Sequence, residues 1–146
     1  GLTVATAESC TGGTIGQRIT AIPGASAVYV GGCITYTNDI KIRLLGVDPA
    51  IIAEHTEVSH ACAKAMAEGV RKRLGTAYAL STTGYAGPGG GTEEKPVGLV
   101  YIAVVGPNYQ RVEKLPLNPN IPLTRAAIQQ QAAEYALHML YDSLKP

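Results

Sequence analysis

Leu2-Thr3-Val4-Ala5-Thr6-Ala7 runs directly into Glu8-Ser9-Cys10-Thr11-Gly12-Gly13, and Ile15, Ile19 and Ile22 then recur ahead of Pro23-Gly24. The first six residues are apolar or β-branched, as a buried strand requires. Gly12 and Gly13 interrupt that run. Isoleucine then returns every third or fourth residue, which marks a helix face that Pro23 ends. A strand that becomes a helix through glycines is the opening unit of an α/β fold.

The remainder extends the alternation. Val28 to Thr37 is rich in Val, Ile, Tyr and Thr and reads as a second strand. Asn38 is expected to cap a short helix that runs through Leu45 and stops at Gly46. Asp48-Pro49 opens another helical turn, with the proline at the first helical position. Ser59 caps a helix whose Cys62, Ala65, Met66, Gly69, Val70 and Leu74 share a face, with Lys64, Glu68 and Lys72 opposite. Tyr78 to Thr82 is a third strand, followed by a glycine-rich loop over 84–96. Val97 to Val105 and Gln110 to Leu115 form a hairpin across Gly106-Pro107-Asn108. Pro122 to Leu144 is a long helix with Ala133, Leu137, Leu140 and Leu144 as its core stripe. This order predicts an α/β fold. It is a three-layer α/β/α single domain over residues 1–146, with a mixed, mostly parallel sheet.

Composition narrows the function. Hydrophobic residues make up 46% of the 146, with no Trp and no Phe, so the core must close on small side chains packed tightly. Twelve basic and eleven acidic residues leave a net charge of +1, which is no electrostatic footprint for nucleic acid or a membrane surface. Arg71-Lys72-Arg73 falls late in a helical pattern and complements its dipole. Cys10, Cys33 and Cys62 show neither metal spacing nor a disulfide framework, and read as reduced thiols of a cytoplasmic protein. His55, His60 and His138 have no ligand spacing, so no metal is expected. No apolar run is long enough to span a bilayer.

Three polar segments, Ala7–Gly13, Thr35–Lys41 and Thr83–Gly91, each follow a predicted strand. Ligands of open α/β sheets gather at the carboxyl ends of strands, so the three segments can share one pocket if those strands are parallel. Ser9 lies on a sharp turn, where the N–H groups of Cys10, Thr11, Gly12 and Gly13 are available to an oxyanion or a phosphate. Taken alone, Ser9 or Thr11 reads as a helix cap. Lys41 falls in the first turn after Asn38, where the helix dipole and burial both disfavour its ammonium form, so a neutral amine can accept the serine proton. Taken alone, Lys41 reads as a solvated lysine. Tyr36 can donate or relay a proton, although a strand tyrosine is more often core. Glu8 can orient Lys41 or a substrate group, or lie solvated on the surface. The glycine loop, with Thr83, Gly84 and Gly87, can wrap a phosphate in backbone amides or be a plain surface connection. It lacks the ending of a P-loop.

Several uncommon strings stand in order along the chain. They are Thr6-Ala7-Glu8-Ser9-Cys10-Thr11-Gly12-Gly13, Gly31-Gly32-Cys33-Ile34-Thr35-Tyr36-Thr37-Asn38, Lys41, Leu45-Gly46-Val47, Val58-Ser59, Thr83-Gly84-Tyr85-Ala86-Gly87-Pro88 and Glu94-Lys95-Pro96-Val97-Gly98. From Leu2 nearly to the end the sequence resembles the nicotinamide mononucleotide amidases, also called the CinA C-terminal-domain family. The resemblance implies hydrolysis of the nucleotide's carboxamide to nicotinate mononucleotide and ammonia, with no cofactor. It implies a Ser–Lys pair at Ser9 and Lys41 with Tyr36 beside it, and it makes Ser26 and Arg125 substrate-facing. Glu8, Cys10, Thr11, Gly12, Gly13, Ser26, Asn38, Thr83, Gly84, Gly87 and Arg125 are thus the expected substrate-binding set. The expected partner is a small-molecule nucleotide, and the expected assembly a homo-oligomer. The competing expectation is a non-catalytic nucleotide-binding domain with a regulatory role. Three features depart from the family pattern: the given sequence begins at the first strand, where the family usually has a helix before it, Tyr85 replaces a smaller aliphatic residue, and Gln129 stands where many relatives carry arginine.

Overall fold

Five strands, β1 (Val4–Glu8), β2 (Tyr29–Ile34), β3 (Tyr78–Gly84), β4 (Val100–Gly106) and β5 (Tyr109–Lys114), form one sheet in the order β2-β1-β3-β4-β5. The computed structural model describes residues 1–146. β1 pairs in parallel with both β2 and β3, whereas β4 runs antiparallel to β3 and β5. Four strands therefore share one direction and β4 opposes them, which is the expected mixed sheet with a terminal hairpin. The helices are α1 (Thr14–Thr20), α2 (Asn38–Leu45), α3 (Pro49–His55), α4 (His60–Leu74) and α5 (Arg125–Ser143), with a short 3₁₀ turn at Ala25–Ala27. None is long and apolar enough to cross a membrane.

Strand alternation builds the three layers. Val100, Ile102 and Val104 of β4 join Leu80 and Val4 against Ile15 of α1 and Ile128, Ala132, Ala136 and Met139 of α5. The intervening Ala103 and Val105 join Ala5, Ala7 and Ala79 against Leu45 of α2 and Cys62, Met66, Ala67 and Val70 of α4. Side chains two apart on a strand share a face, so each strand supplies both cores. Alanine is frequent at these contacts and lets the helices lie close to the sheet. This shifts the stripes from those expected. On α5 the fully buried residues are Ile128, Ala132, Ala133, Ala136 and Met139, while Leu144 is 46% exposed. On α4, Ala63 and Ala67 join the core ahead of Ala65 and Leu74.

Gly69 is needed where α4 crosses the end of α2. A Cβ there would come 2.1 Å from the carbonyl oxygen of Leu45, which is main chain and has little room to yield. Gly69→Ala gains helix propensity but forces the two helices apart, so we expect a net loss of about 1–3 kcal/mol. A fall in thermal midpoint of several degrees checks this, and an unchanged midpoint refutes it.

Element ends differ from the sequence reading where a local bond decides. α2 is capped by Thr37, whose hydroxyl accepts from the Ile40 N–H, so Asn38 is the first helical residue rather than the cap. α5 begins after Thr124, which caps through the Ala127 N–H, rather than at Pro122. β4 begins at Val100 because Gly98, at φ +95, turns Val97–Leu99 off the strand path. Asp48 and Ser59 cap α3 and α4 as expected.

Candidate active site

The carboxyl ends of β1, β2 and β3 lie side by side because those strands are parallel neighbours. The turn after each therefore opens on a common cavity of about 240 Å³. Ser9, Cys10, Tyr36, Asn38, Lys41, Thr83, Gly84, Gly87 and Arg125 all line it. Ser9 is fixed by its own N–H, which donates to Thr82 O at 3.1 Å and prolongs the ladder to β3. On the other side, Thr35 N–H donates to Glu8 O at 2.8 Å, which prolongs the ladder to β2.

Lys41 is 1% exposed and Ser9 6% exposed. Lys41 Nζ donates to Ser9 Oγ at 3.1 Å, to Thr35 O at 2.9 Å and to Tyr36 O at 3.2 Å. As an ammonium the group satisfies one acceptor with each hydrogen. As a neutral amine it keeps two hydrogens for the two carbonyls and has its lone pair left facing Ser9. Burial pushes the Lys41 pKa below its ordinary value, opposed by the nearby carboxylate of Glu57. The nearby thiols of Cys10 and Cys62 are neutral near pH 7. Desolvation pushes Cys10 up to about 12 and Cys62 to about 11. A protonated thiol is a weak nucleophile, and Ser9 is the residue of this turn whose side chain faces an amine.

Tyr36 meets Lys41 through its carbonyl, not its ring. The Tyr36 hydroxyl accepts from Arg125 Nη2 at 2.9 Å, and Arg125 Nη1 donates to Gly87 O. Arg125 thus ties the tyrosine to the glycine loop at the cavity wall. Gly87 has φ +79, and a Cβ there would come 2.4 Å from Val97 Cγ1. Tyr85 also lines the cavity, beside Gly90. Gln129 Nε2 donates to Cys10 O at 3.0 Å and links α5 to the serine turn.

Five expected members, Glu8, Thr11, Gly12, Gly13 and Ser26, are placed otherwise. Glu8 is 2% exposed and does not line the cavity. Its Oε1 accepts from Thr11 Oγ1 at 2.7 Å and Ile15 N–H at 2.8 Å, and its Oε2 from Gly16 N–H at 3.0 Å. The carboxylate thereby satisfies the open N–H groups at the start of α1, where the dipole also favours it. Thr11 is buried against Glu8 and Thr82. Gly12 N–H donates to Ser9 O and so is not free for an oxyanion, whereas the N–H groups of Cys10, Thr11 and Gly13 donate to no backbone carbonyl. Gly12 and Gly13 themselves shape the turn, at φ +60 and +107, and line no part of the cavity. Ser26 is exposed on the 3₁₀ turn ahead of β2. β2 begins opposite Val4 at the start of β1, so Ser26 lies at the far end of the strands from Ser9.

Glu8→Gln presents an amide hydrogen to one of three donors and leaves it unsatisfied. We expect a loss of about 1–3 kcal/mol in stability, read as a lower thermal midpoint. A variant with unchanged midpoint but lost substrate affinity would return Glu8 to the binding set. Glu57 is the charged cavity residue that sequence reasoning missed. No spacing marks it, since it sits in the turn between α3 and α4.

The profile of the CinA C-terminal domain matches residues 1–144. A CinA-like protein of Myxococcus xanthus is 48% identical over 145 residues, covering 99% of this chain and 34% of that protein. A putative competence-damage inducible protein of Moorella thermoacetica is 44% identical over 144 residues, with the same coverage of 99% and 34%. The chain thus spans about a third of the length of these relatives. The crystal structure of a competence/damage inducible protein, CihA, from Agrobacterium tumefaciens superposes with a TM-score of 0.92 at 41% identity. That superposition covers 97% of this chain and 85% of that one. By sequence over its whole length and by fold, the chain belongs to the CinA C-terminal domain family.

Proposed function

We propose that the chain hydrolyses the carboxamide of nicotinamide mononucleotide, giving nicotinate mononucleotide and ammonia. The observation that carries this reading is the buried 3.1 Å contact between Lys41 Nζ and Ser9 Oγ. A pure binding domain has no use for a desolvated amine aimed at a buried hydroxyl.

Ser9 Oγ attacks the amide carbon as its proton passes to Lys41 Nζ. The carbonyl electron pair moves to oxygen, where the N–H groups of Cys10 and Thr11 are the donors at hand. Collapse expels the amide nitrogen, which takes the proton from the Lys41 ammonium and leaves as ammonia. Water then attacks the seryl ester with Lys41 again the base, and the acid and Ser9 hydroxyl are released. The pyridinium ring draws electrons from the amide carbon and eases both attacks. Arg125 and the amides of the glycine loop supply the positive groups for the phosphate, and Tyr36 holds Arg125 in place.

A regulatory nucleotide-binding role is the second reading. It is favoured by a relative about three times the length of this chain, from Moorella thermoacetica, that carries a competence-damage name. Ammonia release measured over nicotinamide, its riboside, its mononucleotide and the dinucleotide separates the two. Amide hydrolysis predicts release from the mononucleotide above the others. Nucleotide binding with no ammonia from any of the four leaves the regulatory reading.

A further inference from the structure

The turn between α3 and α4 is held from outside by two side chains. Lys95, from the end of the glycine-rich loop, donates through Nζ to His55 O at 3.0 Å, Thr56 Oγ1 at 2.7 Å and Val58 O at 2.7 Å. Thr83 Oγ1 donates to the carbonyl of Glu57, between those residues, at 2.7 Å. Thr56 has φ 68 and ψ 171, a conformation that a β-branched residue keeps only when its surroundings impose it. All these contacts fix the main chain around Glu57, and none uses its carboxylate.

That half-buried carboxylate lines the cavity with Ser9 and Lys41. It accepts no hydrogen bond and enters no ion pair within the chain. The cations near it are otherwise engaged: Lys41 faces Ser9 and two carbonyls, and Lys95 faces the turn itself. A negative charge partly withdrawn from water, mounted on a fixed main chain and left unpaired is complementary to a positive ligand group. Arg125 gives the same cavity a cation. The site therefore suits a ligand with one anionic and one cationic group.

We propose that Glu57 is a specificity-determining residue whose carboxylate reads the positive charge of the pyridinium ring. The site then selects cationic N-substituted pyridine carboxamides over neutral ones of the same outline. Lys95 and Thr83 are positioning residues for it. The inference rests on the amide-hydrolase reading above for its choice of ligand, and its test runs without turnover.

The probes are nicotinamide mononucleotide and its reduced, uncharged dihydropyridine form, which share carboxamide, ribose and phosphate. Their dissociation constants are measured by calorimetry on Ser9→Ala protein and on the same protein carrying Glu57→Gln. The preference for the cationic form is expected to fall about tenfold with Glu57→Gln, one charge contact in a partly screened cavity. Affinity for the reduced form should stay within about twofold. Glu57→Asp, which keeps the charge, should keep most of the preference. An unchanged ratio overturns the proposal. So does an equal loss for both nucleotides, which would make Glu57 a general structural support, and so does failure of both to bind the Ser9→Ala protein. If wild-type protein released no ammonia while the ratio still collapsed in Glu57→Gln, the hydrolase reading alone would fall.

Discussion

Ser9→Ala is expected to lower ammonia release from nicotinamide mononucleotide by about 10³-fold or more, while the nucleotide still binds. The expected size follows from what is removed. Alanine lacks the oxygen that attacks, so no acyl intermediate forms. The cavity keeps Arg125, the glycine loop and Glu57, which are the groups expected to hold the ligand. Loss of turnover should therefore come without much loss of affinity, and kcat should fall more than KM rises. The serine backbone is held by Thr82 and is indifferent to the side chain, so the fold should be unchanged. Ammonia release at a wild-type rate would remove Ser9 from the mechanism. Cys10 could not then replace it near neutral pH, because burial keeps its thiol protonated up to about pH 12.

Lys41→Arg is expected to be nearly as damaging as Lys41→Ala, each lowering kcat by about 10²–10⁴-fold. Arginine preserves the positive charge and can still reach carbonyl acceptors, but it does not give up its proton at any working pH. If Lys41 served only to attract phosphate, arginine would retain much of the activity. The pH profile gives a second measurement. Below its pKa Lys41 is an ammonium with no lone pair, so kcat falls on the acidic side. Because burial lowers that pKa, the plateau should be reached below the ordinary lysine value of about 10.4. The negative charge of Glu57 pulls in the opposite direction, and the phosphate of a bound nucleotide would too. An acidic limb that stays in place in an active Lys41→Arg variant rules Lys41 out as the base.

The sequence carried the fold in its alternation. Leu2–Ala7, the two glycines and the isoleucine spacing suffice to place Ser9 at a strand's carboxyl end, and parallel pairing then brings Lys41 and the glycine loop to it. What periodicity does not encode is which polar side chain turns inward. Glu8 precedes the serine by one residue, and by alternation alone it looks as accessible as its neighbour. Only the approach of α1, with its unsatisfied N–H groups, draws it under the helix. Ser26 shows the reverse problem: it is near Ser9 in sequence but at the other end of the strands. Glu57 was invisible for a third reason. Its place depends on Lys95 and Thr83, which come from segments remote in sequence and carry no repeat or motif that points to it. Thr37 displaced Asn38 as a cap by one residue, an error of position that leaves Lys41 within the first turns of its helix.

Thr35 and Tyr36 direct the lone pair of Lys41 through their carbonyl oxygens alone. A scan that exchanges one side chain at a time is blind to such groups: Thr35→Ala and Tyr36→Phe each leave both acceptors where they are. The direct probe is synthetic, an ester in place of the amide between Thr35 and Tyr36, which weakens the Thr35 carbonyl as an acceptor and lets the amine swing. For laboratory evolution the same fact has a practical side. Randomising the side chain at 36 varies a wall of the cavity, whereas re-aiming the Lys41 amine requires a change in the length or path of the loop that joins β2 to α2.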